Sequence, residues 1–165
     1  MILLGIDPGT AVTGWGVIQV ENQTHEALDF GAIRPARAMK LSDRYHVIFQ
    51  AVKALIEKFS PEAIAIETQF THKNMQSALK LAMCRGVVIV AAKDAGIPIF
   101  EYAPTKIKKA VTGRGSADKS QVKGMIRHLL HLSEDPTPED AADALACAIC
   151  HAHAARFSEL ITNEV

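Results

Sequence analysis

The stretch Ile2-Leu3-Leu4-Gly5-Ile6-Asp7-Pro8-Gly9-Thr10 is an apolar run that stops on an acid and a Pro-Gly turn. It reads as a buried β-strand whose last side chain sits at the rim of a sheet. Residues 12–20 are again β-rich, Glu21-Asn22-Gln23 makes the next turn, and residues 26–34 form a third strand closed by Pro35. Three strands with short connections predict an antiparallel meander. The period then changes. From Leu41 the apolar positions Tyr45, Ile48, Phe49, Val52, Leu55, Ile56 and Phe59 recur at spacings of three and four, the pattern of an amphipathic helix.

Ser60-Pro61 ends that helix, and Ala63-Ile64-Ala65-Ile66-Glu67 is a short strand that also finishes on an acid. A second helix is expected over about 74–95, stopped by Gly96. A fifth strand over 97–102 contains Pro98, which suits an edge position. Helices follow at about 104–112, 117–131 and 138–157. The order predicts an α/β fold, a five-stranded mixed sheet with helices on both faces, in one domain spanning 1–165.

Composition narrows the function classes. The 165 residues carry 18 Lys+Arg and 18 Asp+Glu, a formal net charge of zero, with 48% hydrophobic and 22% charged residues. This describes a chain with a real core, not a disordered or polybasic one. Purely apolar runs such as Val87 to Ala92 are far short of the roughly 20 residues of a membrane span. The N-terminus lacks the basic region of a signal peptide. Three cysteines are too few for a disulfide framework, and a cytoplasmic location is expected.

Chemistry concentrates in the acids. Asp7 and Glu67 end two strands, where functional groups of open α/β sheets gather. Asp140 and Asp143, three apart, share one helix face among small apolar neighbours. A structural alternative is available for that pair: Thr137 as N-cap, Pro138 as first helical residue and Asp140 completing a capping box. If that helix packs beside the two strand ends, four carboxylates converge and make a hard-oxygen set suited to Mg²⁺ or Mn²⁺. Two such ions about 4 Å apart are the machinery of phosphodiester hydrolysis.

The zero net charge conceals blocks of opposite sign. Between Thr105 and Arg127 lie Lys106, Lys108, Lys109, Arg114, Lys119, Lys123 and Arg127 against Asp118 alone. Residues 68–93 hold Lys73, Lys80, Arg85 and Lys93 with no Asp or Glu, and 133–143 are acidic. Such basic blocks are what phosphate backbones bind, although solvated helix faces look the same. Gly113-Arg114-Gly115-Ser116 is a basic loop whose backbone could approach a phosphate. Phe70, in a polar stretch just past Glu67, is a lid over the core or a stacking platform for an unpaired base. Cys147-Ala148-Ile149-Cys150-His151 matches a haem-attachment signature, but inside an Ala-rich helix it reads as core.

Four blocks carry a family resemblance. They are Gly5-Ile6-Asp7-Pro8-Gly9-Thr10 with Thr13-Gly14-Trp15-Gly16; Ile66-Glu67 through Lys73-Asn74 to Arg85-Gly86; Phe100-Glu101-Tyr102 through Gly113-Arg114-Gly115-Ser116 to Lys119-Ser120-Gln121-Val122; and Asp140-Ala141-Ala142-Asp143-Ala144-Leu145. From about Ile2 to Arg156 the chain resembles the RuvC family of Holliday junction resolvases, nucleases of ribonuclease H-like fold. The resemblance implies a homodimer that binds four-way junction DNA and nicks two strands of like polarity. It also implies work with a junction-binding and branch-migration complex of RuvA and RuvB type. The matching positions are Asp7, Glu67, Asp140 and Asp143 for the metals, Lys108 and Lys119 near the scissile phosphate, and Phe70 at the junction centre. The helix from Leu79 to Ala92 matches the dimer interface. Lys73, Lys109, Arg114 and Lys123 are further expected DNA contacts. The readings that compete are a catalytically dead junction-binding module and, from the Asp-x-Gly-Thr turn, an actin-like phosphotransferase fragment.

Overall fold

The computed structural model describes residues 1–68, 75–156 and 164–165. Strands β1 (Ile2–Asp7), β2 (Thr13–Glu21) and β3 (Thr24–Ile33) form the expected meander. Asn22 and Gln23 both take positive φ in its second turn, the geometry that matches the twist of a two-residue hairpin. Helix α1 (Leu41–Phe59) then crosses to β4 (Ala63–Glu67), which pairs parallel with β1. Helix α2 (Met75–Asp94) leads to β5 (Ile99–Tyr102), parallel to β4. The sheet order is β3-β2-β1-β4-β5, so β5 lies at the edge as Pro98 predicted. Its outer side is met by the C-terminal residues: Glu164 bridges Phe100 and the Val165 N–H donates to the Ile99 carbonyl at 3.0 Å. Helices α3 (Pro104–Thr112), α4 (Lys119–Leu129) and α5 (Glu139–Ala155) complete the fold.

Alternation along the central strands sorts the core into two halves. Leu4, Ile6, Ile64 and Ile66 point to one face, where Ile48 and Val52 of α1 and Cys84 and Val88 of α2 cover them. Leu3, Ala63 and Ala65 point to the other, under α3, α4 and α5. Helix α5 is buried almost throughout, from Ala141 to Ala152 apart from Asp143.

Among the described glycines, the closest backbone approaches lie where α5 crosses β1 and β2. A Cβ added at Gly5 would stand 1.9 Å from the Ala144 carbonyl oxygen, and one at Gly14 1.9 Å from that of Asp140. Only a bare backbone permits this approach. Alanine at Gly5 is expected to push α5 off the sheet and destabilise the protein by about 3 kcal/mol. Gly124 in α4 has open space, and Gly124→Ala should instead stabilise by roughly 0.5–1 kcal/mol. Thermal denaturation of the two variants reads both signs, and an unchanged melting temperature for Gly5→Ala would contradict the packing.

Candidate active site

Asp7 ends β1 opposite Gly14 of β2, and Glu67 ends β4 one residue beyond Ile66, which pairs with Ile6. The two carboxylates therefore leave adjacent parallel strands at the same edge. Because α5 enters against Gly14, Asp140 lies over that edge and Asp143 follows one turn later. All four acids are partly exposed on an otherwise buried seam. The capping alternative for α5 is not the one the chain takes: Pro138 is the N-cap, and no side chain caps the helix. Asp140 is thus not spent on a capping box. The capping box in this part of the chain is at α4, where Asp118 accepts from the Gln121 N–H at 2.9 Å and the Gln121 side chain accepts from the Asp118 N–H at 3.0 Å.

The electrostatics confirm that these groups share one locus. Burial, reinforced by Asp143, raises the Glu67 carboxyl above its ordinary value, against the pull of Lys119 and Lys108. Burial also raises Asp143, opposed by Lys119 and Lys123 and reinforced by Glu139 and Asp140. The Lys119 ammonium is raised chiefly by its hydrogen bond to Glu139, with Asp143 and Asp7 contributing. Below them, the buried Cys147 thiol is raised by burial and then by Glu67, Asp7 and Asp143. A cavity of about 180 Å³ gathers Glu67, Asp143, Glu139, Lys108, Lys119 and Lys123. Among the described residues, no three His, Cys, Asp or Glu side chains are grouped tightly enough to chelate an ion as they stand. The donor set itself, carboxylate oxygen throughout, fits a hard divalent cation.

The other expected residues fare differently. Arg114 lines a separate groove with Gln121, Met125 and His128 on the far flank of α4. Its backbone N–H is engaged by the Thr112 hydroxyl at 3.2 Å, so the glycine-flanked loop does not offer that group to a phosphate. Lys109 is exposed and lies outside the lysine cavity. Phe70 and Lys73 lie outside the described residues. Two ion pairs beside this edge escaped the sequence reading, Lys119 with Glu139 and Arg85 with Glu101. Their partners are 20 and 16 residues apart, and no local spacing announces them.

Helix α2 presents a second surface. Met75, Leu79, Met83 and Val90 are exposed, at 88%, 62%, 49% and 60%, along the side away from the sheet. An open apolar groove lined by Tyr45, Phe49, Met83, Val87 and Val90 continues the stripe onto α1. By length and composition alone α2 could cross a membrane, a point the short apolar run had not suggested. Here its other side packs on the sheet through Cys84, Val88, Ala91 and Ala92.

A mixed sheet in this order, with acids at the carboxyl ends of β1 and β4 and on a helix laid across them, defines a ribonuclease H-like nuclease. The model of a family described as crossover junction endodeoxyribonuclease RuvC matches residues 3–151. A curated relative of that description from Protochlamydia amoebophila is 58% identical over 152 residues, covering 92% of this chain and 90% of its own. The solved RuvC of Thermus thermophilus superposes with a TM-score of 0.92 at 35% identity over the full length of both chains. The T. thermophilus RuvC solved with a Holliday junction substrate gives 0.91 at 33%, again over both full chains. The chain belongs to the RuvC family of crossover junction endodeoxyribonucleases.

The Cys-x-x-Cys-His sequence is core, as expected. Cys147 and Cys150 are buried, and His151 stacks on Phe100 and shares a 2.7 Å hydrogen bond with the Tyr102 hydroxyl. Burial pushes the His151 imidazole down to about 4. The folded value lies below the unfolded one, so the neutral ring's contribution is complete above about pH 6.5 and is lost as pH falls toward 4. That amounts to roughly 3 kcal/mol. Denaturant titrations across this window should show the decline, and NMR should find the ring still neutral at pH 5. A ring titrating near 6.5 would refute it.

Proposed function

We propose that this chain resolves four-way DNA junctions by metal-dependent hydrolysis, in recombination and repair. It would place symmetrical nicks in two strands of like polarity, leaving 5′-phosphate and 3′-hydroxyl ends. The observation that carries the reading is the meeting of Asp7 and Glu67, from adjacent strand ends, with Asp140 and Asp143 from the first turns of α5. The junction-bound T. thermophilus relative supports the substrate, and the full set of acids disfavours a catalytically dead module. The actin-like alternative is not favoured, because the family match spans residues 3–151.

Asp7, Glu67, Asp140 and Asp143 are the residues that would hold two Mg²⁺ ions, for which Mn²⁺ could substitute. Bound there, the ions supply the Lewis acidity that activates a water and stabilises the leaving 3′ oxygen. The protein's own part is positional. Helix α5 cannot slide, because its backbone is seated on glycines, so its two acids keep a fixed place relative to the strand ends. Lys119, exposed and lightly held by Glu139, turns its ammonium to the scissile phosphate as the strand arrives. Lys108 and Lys123, in the same cavity, neutralise the phosphate and relieve the crowding that keeps Glu67 and Asp143 reluctant to ionise. Lys109, Arg114, Lys73 and Phe70 would contact DNA beyond the cut.

Residues 1–165 act as one nuclease domain in this reading, as a cytoplasmic homodimer joined through the apolar stripe of α2 and the groove beside it. A dimer provides the two sites that paired nicks need. A junction-binding and branch-migration complex of RuvA and RuvB type would deliver the substrate.

A labelled synthetic four-way junction tests the chemistry. Symmetrical nicks are expected with Mg²⁺ and none with chelator. Asp7→Asn should retain junction binding while cleavage falls by about 10²–10³-fold or more, since a phosphate contact needs no metal. Cleavage that survives in Asp7→Asn, or in chelator, would defeat the mechanism. The assembly has its own test. Leu79→Glu and Met83→Glu place charges on the α2 stripe and should shift sedimentation from dimer to monomer with circular dichroism unchanged. A dimer that persists in both variants would remove α2 from the interface.

A further inference from the structure

Glu67 borders two cavities. One is the lysine cavity on the side of α3 and α4. The other, of about 310 Å³, lies on the side of α2 and is walled by Pro8, Thr68, Ala78, Leu81 and Ala82, with Arg85 and Glu101 completing its lining. Arg85 reaches it from the middle of α2 and sets Nε and Nη2 on a single oxygen of Glu101. Glu101 stands on β5 opposite Ile66, the residue before Glu67. The Arg85 side chain is 36% exposed and that of Glu101 18%, so the pair is half-buried, with the guanidinium reaching the mouth of the cavity.

The charge arrangement suggests a different use. A DNA strand crossing the Glu67 edge carries a phosphate on each nucleotide, so phosphates flank the scissile one on both sides. Lys108, Lys119 and Lys123 serve the first cavity. Among the described residues, Arg85 is the only cation lining the second. Its planar fork, now spent on one carboxylate oxygen, suits a phosphate equally well. We propose that Arg85 binds the backbone phosphate next to the scissile one, on the α2 side, and that Glu101 holds the guanidinium ready until that phosphate displaces it. This rests on the nuclease reading above. It adds a strand contact that fixes which phosphate falls over the acids.

The two variants Arg85→Gln and Glu101→Gln separate this role from that of a simple strut. A strut loses the same ion pair either way, so both variants would suffer alike. A phosphate ligand and its holder behave oppositely. Arg85→Gln should weaken junction binding, measured in chelator, by about tenfold. It should also reduce the slope of log affinity against log salt by about one per subunit. Glu101→Gln should bind at least as tightly as the parent, with the slope unchanged. Arg85→Lys keeps the charge but not the fork; it should keep the slope while cutting more slowly, and serves if Arg85→Gln fails to fold. An unchanged slope in a folded Arg85→Gln, or equal losses in Arg85→Gln and Glu101→Gln, would overturn the proposal. The unsubstituted protein cutting the junction with Mg²⁺ in the same assay tests the underlying reading separately. If it does not cut, that reading fails, whereas cutting with Arg85→Gln unaffected removes only the role of Arg85.

Discussion

The approach of α5 to the sheet is the contact on which everything else depends. Gly5 and Gly14 leave no side chain between the strands and the helix backbone, and Gly16 gives the same room to the Leu145 side chain. The helix answers with Ala141, Ala142, Ala144, Ala146 and Ala148, all buried. Small residues on both sides bring two backbones together more closely than ordinary helix-on-sheet packing allows. A larger side chain on either surface would lift the helix and carry Asp140 and Asp143 away from the strand ends. The same seam therefore belongs to the core and to the proposed active site.

The zero net charge says nothing of where charge sits: four of the 18 Asp and Glu residues stand on this seam, and cations flank it on both sides. Helices α3 and α4 bring Lys108, Lys119 and Lys123 to one flank of Glu67, and α2 brings Arg85 to the other. Each of Lys119 and Arg85 is engaged by a glutamate that is not one of the four acids. The Lys119 pair is exposed and of a kind easily exchanged, and the Arg85 pair is half-buried with its guanidinium still reaching solvent, so in the function proposed above each would orient a cation without locking it away from a phosphate.

How far the sequence could be read follows from the range of the interactions. The strand ends at Asp7 and Glu67 were legible because a short continuous apolar run that stops on an acid is a local signal. The edge position of β5 was legible from Pro98 for the same reason. Thr-Pro-x-Asp satisfies the local rules for an N-terminus, so sequence alone left the capping alternative for Asp140 open, whereas the chain has Pro138 as the cap and leaves Asp140 over Gly14. That choice is made by the glycine floor, more than a hundred residues earlier in the chain. Lys119 with Glu139 and Arg85 with Glu101 were invisible for a similar reason, since they are products of packing. Lys109 and Arg114 carry the same charge as Lys108 and Lys123, and charge alone could not show which would turn toward the acids. Helical phase decides it, because the 3.6-residue repeat turns neighbouring lysines of α3 to different sides.

The balance of charge at the seam gives the last step. The N-terminal end of a helix dipole favours acids in the first turn by about 0.3–1 kcal/mol. Lys108, Lys119 and Lys123 add their own attraction, yet Glu67 and Asp143 remain raised. Burial, reinforced by the neighbouring acids, therefore outweighs the pull of these lysines. A fold selected for stability alone would not keep such an arrangement, because replacing either acid with a small apolar residue would remove the conflict. In the function proposed above, cations from outside the chain would relieve this conflict, and the surrounding lysines and Arg85 would meet the phosphates beside them.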